Sequence, residues 1–237
     1  MTDAVKTLKD WIDGSDNIVF FGGAGVSTES GIPDFRSTDG LYHQQYDYPP
    51  ETILSHSFYE KNPEEFFRFY RDKMLYLDAQ PNAAHKKLAE LEAQGKLRAV
   101  ITQNIDGLHQ MAGSRNVLEL HGSVLRNYCT HCGAFHGVEK IQNSTGVPRC
   151  HCGGIIKPDV VLYEEGLDQD VMSRAVAAIR QAEVLIIGGT SLSVYPAAGL
   201  VYYYRRNKLV VINKSELPGT GANLTIRDPI GAVMAQI

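Results

Sequence analysis

Ile18-Val-Phe-Phe-Gly-Gly-Ala-Gly-Val-Ser-Thr28 passes from four apolar residues straight into a glycine-rich turn. A short unbroken apolar run is the pattern of a strand buried on both faces. Glycines after such a strand let the backbone approach a phosphate, and the free N–H groups of a following helix attract an anion. The third glycine of a full dinucleotide fingerprint is missing, so this run alone reads equally well as a plain strand-to-helix turn. Working outward, Leu97–Thr102, Val117–Leu120, Val184–Gly188 and Leu209–Asn213 read as further buried strands. Asn82–Gln94, Asp168–Gln181 and Pro196–Asn207 read as helices between them, and Ala4, Val5, Leu8, Trp11 and Ile12 mark an N-terminal helix. Strands alternating with helices imply a parallel α/β sheet with right-handed crossovers, binding ligands at the carboxyl ends of its strands.

Two stretches break the alternation. Residues 37–78 offer no strand, but Asn62-Pro63-Glu64-Glu65 supplies a cap residue, a first-turn proline and first-turn acids for an apolar-rich helix. Residues 123–156 are poor in long aliphatic runs and hold all 4 cysteines, from Cys129 to Cys152. Both read as insertions that together form a smaller lobe, with a ligand cleft between lobes. The sheet domain then comprises residues 1–36, 79–122 and 157–237. Cys129-Thr-His-Cys132 and Cys150-His-Cys152-Gly-Gly154 are two close thiol pairs on glycine-containing turns. They suit one tetrahedral zinc ion with no open coordination position, which makes the site structural. His131, His136 and His151 are alternative ligands, and redox-active dithiols are the other reading.

The 237 residues fit one large domain with an insert. A formal net charge of −4 argues against a broad nucleic-acid surface, which needs a basic excess. No apolar run approaches the roughly 20 residues of a membrane span, and the N-terminus lacks a secretory apolar core. The expected location is therefore cytoplasmic, with no membrane partner, and the number of copies in the assembly is left open.

Several polar residues follow predicted strands, where such sheets bind ligands. Thr102-Gln-Asn104-Ile-Asp106-Gly-Leu-His109 is one group, and Asp106 is also placed to cap the next helix. His121 ends another strand and is either a general base or a structural histidine. Thr190, Ser191 and Asn213 follow two more strands, where turn chemistry would explain them as well. Phe35 and Arg36 sit in a turn-rich stretch, where a ring and a guanidinium could hold a heterocycle and a phosphate.

Taken together, Gly23-Ala-Gly-Val-Ser-Thr-Glu-Ser-Gly-Ile-Pro-Asp-Phe-Arg36, Thr102–His109, His121-Gly122 and the paired cysteines closely resemble the sirtuin family, most of all its small bacterial members. The resemblance covers nearly the whole chain. It implies a Rossmann-like large domain, with a small domain built from a zinc ribbon and a helical insert. It also implies NAD-dependent removal of acyl groups from protein lysines, releasing nicotinamide, lysine and O-acyl-ADP-ribose. By that resemblance Gly23, Ala24, Gly25, Thr28 and Arg36 lie at the NAD phosphates. Gln103, Thr190, Ser191 and Asn213 line its ribose and adenine side. Phe35, Ile105 and Asp106 form the nicotinamide pocket. Asn104 stands beside the reacting ribose, and His121 is the general base on a ribose hydroxyl. The zinc held by Cys129, Cys132, Cys150 and Cys152 takes no part in the chemistry. The acyl-lysine peptide pairs with residues 160–164, touching Val161 and Tyr163, and with residues 193–195.

The chain departs from the family in two places. Glu164 occupies a position where relatives usually carry glycine. The expectation is that a glycine-specific backbone shape is lost, and that the added carboxylate favours basic residues beside the target lysine. Members that remove acidic acyl groups carry Tyr-x-x-Arg in the insert helix, and the matching residues here are Tyr70 and Lys73. They imply some desuccinylation beside deacetylation, against the plainer reading of a solvated helix pair. A protein mono-ADP-ribosyltransferase and a non-catalytic zinc-ribbon binding module are the competing readings.

Overall fold

The computed structural model describes residues 2–34 and 48–237. Its centre is a six-stranded, wholly parallel sheet formed by β1 (Ile18–Gly22), β2 (Leu97–Thr102), β3 (Val117–Glu119), β7 (Val184–Gly188), β8 (Leu209–Ile212) and β9 (Leu224–Ile226). Its order is β3-β2-β1-β7-β8-β9, so the chain reverses direction of growth between β1 and β7. Every residue of β1, β7 and β8 is buried, which is why these strands read as unbroken apolar runs. β9 has only three residues and escapes a search for apolar runs.

Two cores flank the sheet. One packs Leu8 and Ile12 of α1 (Asp3–Asp13) and Leu88 of α5 (Ala83–Ala93) against Phe20, Ile186 and Val210, together with Val233 of α9 (Ile230–Met234). The other packs Ala175 and Ile179 of α8 (Gln169–Gln181) and Leu200 against Phe21, Ile101 and Ile187. Strand alternation sends Phe20 and Phe21 to opposite cores.

The small lobe has its own antiparallel sheet, in the order β5 (Phe135–Gly137), β4 (Gly122–Cys129), β6 (Ile156–Val160). It packs against α2 (Pro50–Ile53), α3 (His56–Lys61) and α4 (Pro63–Lys73). The two insertions share one core, in which Phe66, Phe67 and Tyr70 lie with Ile141, Ile156 and the cysteines Cys129 and Cys150. This core continues through Val160 and Leu162, past the expected return to the sheet domain at residue 157. The reason is that β6 pairs with β4 and not with a strand of the parallel sheet.

Local structure corrects three expectations. The glycine run opens no α-helix but two 3₁₀ turns, Ala24–Val26 and Thr28–Ser30, because Gly25 N–H bonds outward to Gly189 O at 2.7 Å. The segment expected to be helical over 196–207 is a 3₁₀ stretch, Ala197–Tyr203, with Gly199 weakening helical propensity in its middle. Asn62 sits at the start of α4 without a side-chain capping bond, and Pro63 at the first helical position fixes that start. No helix among the described residues is long and apolar enough to cross a membrane.

Phe66 is fully buried between the rings of Tyr59 and Phe67, whereas Phe135 is 60% exposed. Phe66→Ala should therefore cost about 3–5 kcal/mol. Phe135→Ala should stay within about 0.5 kcal/mol. Urea midpoints at constant m-value measure both, and equal shifts would contradict the shared small-lobe core.

Candidate active site and metal centre

The reversal between β1 and β7 places their two carboxyl ends side by side, and both end in glycine pairs. A Cβ on Gly25 would lie 2.8 Å from Gly189 Cα, and one on Gly189 (φ 56°) only 2.3 Å from Val26 N. Only hydrogens fit between these backbones. The adjoining turn is fastened from outside. Asn82 caps α5 through its Oδ1, and its Nδ2 donates to Val26 O (2.8 Å) and Ser30 Oγ (3.0 Å). Glu29 accepts the Gly231 N–H at 2.6 Å.

β2 delivers the polar segment that follows it. Asn104 Nδ2 donates to Ser27 Oγ at 3.0 Å, and Ser27 Oγ donates to Asp106 Oδ2 at 2.7 Å. The other oxygen of Asp106 accepts Leu108 N–H at 2.9 Å, at the start of α6 (Leu108–Met111). Asp106 thus holds the first N–H of α6, whose cap position itself is Gly107, and it also borders the cleft described below. Ser27 links the glycine turn to the Asn-x-Asp segment. Its sequence signal was only its place in the quoted run, and the reading above assigned it no role. Gln103 Nε2 donates to Thr190 Oγ1 at 3.1 Å, which ties β2 to the end of β7.

His121 follows β3. Its Nδ1 lies 2.9 Å from the Gln103 carbonyl oxygen. A carbonyl only accepts, so Nδ1 carries the proton and Nε2 is left with a free lone pair. Burial holds the ring's pKa below the ordinary 6.5, while the bond to Gln103 opposes that shift more weakly. The imidazole is neutral at pH 7, as a base must be. Beneath this layer His85 and His109 are fully buried with ring centroids 4.7 Å apart, and burial pushes both far down, to about 4 and about 3. They are neutral packing residues.

These groups line one cleft of about 950 Å³ between the lobes. Gly23, Ala24, Gly25, Thr28, Gln103, Asn104, Ile105, Asp106, His121, Thr190, Ser191 and Asn213 all border it. So do Val161, Tyr163 and Lys73. Phe35 and Arg36 fall outside the described residues. Tyr70 does not border the cleft. It is buried whole, stacked on Phe66 at 5.7 Å, and its hydroxyl has no hydrogen-bond partner among the described residues. The expected Tyr70–Lys73 pair is therefore split, because two residues three apart near a helix end here serve core and cleft separately. Gly189, Ser215 and Asp228 also border the cleft, and no motif pointed to them.

Glu164 corrects another expectation. Its φ is 77°, so the left-handed shape suited to glycine is kept in spite of the side chain. Such a conformation costs an ordinary residue about 1–2 kcal/mol. The loop is held by backbone bonds from His56 N–H to Tyr163 O (2.9 Å) and from Tyr163 N–H to Leu54 O (3.0 Å).

The four cysteines converge. Their Sγ atoms all lie within 4.8 Å of one another, with Cys129–Cys152 at 3.4 Å and Cys132–Cys150 at 3.7 Å. A tetrahedron of sulfurs about 2.3 Å from zinc has edges of about 3.8 Å. No disulfide joins them. N–H groups of Cys132 and His131 point at Cys129 Sγ and lower the pKa of its thiol. A Cβ on Gly154 would press to 2.7 Å from that same sulfur. His131, His136 and His151 stand outside the cluster, and the donor set fits one zinc ion. Purified protein should hold one zinc per chain by atomic emission, and Cys132→Ser should reduce this well below one. Full zinc content in that variant would exclude a four-thiolate site.

Comparison with known proteins agrees with this geometry. The chain is 59% identical over 242 residues to an NAD-dependent protein deacetylase of Clostridium perfringens, covering 100% of this chain and 99% of the relative. It is 42% identical over 240 residues to an NAD-dependent protein deacetylase of Staphylococcus aureus, covering 100% and 99%. A solved Sir2 homologue in complex with ADP-ribose superposes with a TM-score of 0.90 at 40% identity, covering 100% of this chain and 94% of that one. A Sir2 complex with a p53 peptide and NAD+ does so with a TM-score of 0.86 at 39% identity, covering 100% and 97%. The model of the Sir2 family matches residues 23–196, and with the fold and site in agreement the chain belongs to that family.

Proposed function

We infer that this protein is an NAD-dependent protein-lysine deacylase that removes acetyl groups. The observation that carries this is the orientation of His121: its Nδ1–H is anchored on the Gln103 carbonyl and its Nε2 has no hydrogen-bond partner among the described residues, in a cleft bordered by the glycine turn. Bound NAD supplies an electrophilic ribose carbon, with nicotinamide as the leaving group and the acyl oxygen as the attacking group. The chain's residues do the rest. Gly23, Ala24, Gly25, Thr28 and Arg36 hold the phosphates. Gln103, Thr190, Ser191 and Asn213 hold the ribose and adenine side. Phe35, Ile105 and Asp106 enclose the nicotinamide end, with Asn104 beside the reacting sugar. His121 Nε2 takes a proton from a ribose hydroxyl. An amide oxygen is a poor nucleophile, so alignment and exclusion of water matter more here than raw reactivity. Both lobes wall the cleft, with Leu54, Met74 and Val124 on the small-lobe side and Val194 on the other. The acyl-lysine peptide lies along residues 160–164 and 193–195, and Val161 N–H, bonded to His121 O at 3.0 Å, ties the first of these segments to the base. The four-cysteine zinc is structural.

Acetyl-lysine is the better substrate, because only Lys73 of the Tyr-x-x-Lys pair borders the cleft. Lysine also offers a point charge in place of arginine's fork. Residual succinyl turnover should fall in Lys73→Ala more than acetyl turnover does. Equal losses would remove Lys73 from acyl recognition. His121→Ala should lower O-acetyl-ADP-ribose formation by about 10²–10⁴, read by mass spectrometry. Retained turnover would refute the assignment. Since burial depresses the pKa of His121, kcat/KM should be flat through pH 7–8. It should drop only as the pH falls through a value below 6.5, where the ring gains its proton. A midpoint above 7 would point to a different base.

A further inference from the structure

Glu164 borders the cleft and is exposed, and it holds a left-handed conformation that glycine adopts without strain. Its carboxylate meets two donors of a single residue, Ser57 N–H at 2.9 Å and Ser57 Oγ–H at 3.0 Å. Both are neutral. The next residue is placed in the opposite way. Glu165 accepts Leu162 N–H at 2.8 Å and faces His56 Nδ1 at 2.8 Å and Lys157 Nζ at 3.2 Å. The charge of Glu165 is thus matched within the protein. Glu164 makes no ion pair among the described residues. Glu60, on helix α3 with Ser57, is itself exposed and among the described residues pairs only with His56, at 3.4 Å. At an exposed rim the Ser57 donors could turn to water, so their bonds alone give no reason for a charged residue at a strained position.

We propose that Glu164, held at the cleft rim by Ser57, is a specificity-determining contact that selects acyl-lysine peptides carrying lysine or arginine beside the modified residue. This rests on the deacylase reading and on the peptide lying along 160–164. Ser57 fixes where the charge sits, and the left-handed backbone turns the side chain toward α3 while Tyr163 remains at the cleft.

The test compares acetyl-lysine peptides that differ only in one flanking residue, arginine, glutamine or glutamate. Nicotinamide release is followed with the wild type, Glu164→Gln and Ser57→Ala. Glutamine keeps an acceptor for Ser57 and removes the charge. The wild type should prefer the arginine over the glutamate peptide by roughly five- to ten-fold in kcat/KM at low salt, carried by KM. The preference should shrink at high salt. In Glu164→Gln it should fall to about two-fold or less, and Ser57→Ala should lie between. Each ratio is taken within one variant, so the amount of folded protein cancels. An unchanged ratio in Glu164→Gln overturns the proposal and leaves the deacylase reading standing. No NAD-dependent nicotinamide release from any peptide by the wild type overturns the deacylase reading, and this proposal with it.

Discussion

The contact between the Gly23–Gly25 turn and Gly189 is the constraint on which the site depends. Gly25 N–H reaches Gly189 O at 2.7 Å, and neither backbone leaves room for a Cβ. The approach is possible because β1 and β7 are neighbours in parallel register and end level, with Gly22 opposite Gly188. From that junction the turn runs over the sheet's carboxyl edge, and Ser27 is brought within reach of Asn104 and Asp106. A larger residue at the junction would lift the turn and part groups that lie 77 to 79 residues apart in the chain.

A second dependence joins His121 to the loop that begins at Val161. His121 is fixed on one side by the Gln103 carbonyl, while its own carbonyl accepts Val161 N–H. Gly122 follows with φ 76°, and a Cβ there would fall 1.9 Å from Asp159 O. His121 therefore stands where the parallel sheet gives way to the small antiparallel one. Arg126 ties the two sides, bonding Glu119 at 2.7 Å and Asp159 at 2.8 Å. The small lobe is more than a covering. Its cysteine cluster and its aromatic core back the strand pair from which residues 161–165 emerge.

Charge placement around that loop is uneven. Glu165 is embedded among Lys157, His56 and a backbone donor, and acts as a structural brace. Among the described residues Glu164 reaches only Ser57. Two adjacent carboxylates with opposite environments take different tasks, and the sequence Glu-Glu does not distinguish them.

The sequence by itself determined the features that arise from local rules. Strands covered on both faces must be apolar throughout, so β1, β7 and β8 were legible, and β2 with them in spite of its exposed Arg98, as were α1, α5 and α8. Thiol pairs on glycine turns can enclose a tetrahedral ion only at close spacing, so the metal centre was legible as well. Polar residues after buried strands marked the sheet side of the cleft. Tertiary structure alone decided the rest. β9 and the small sheet are too short or too polar for a periodic signal and exist through their pairing. Tyr70 went to the core and Lys73 to the cleft, because the packing of α4 on its neighbours sets which way each points. Ser27 and Gly189 gain their roles from partners remote in the chain, and the proton on His121 is placed by a carbonyl 18 residues away. The left-handed turn at Glu164 persists because backbone bonds to the helical insert hold the loop, and these outweigh the side chain's own preference.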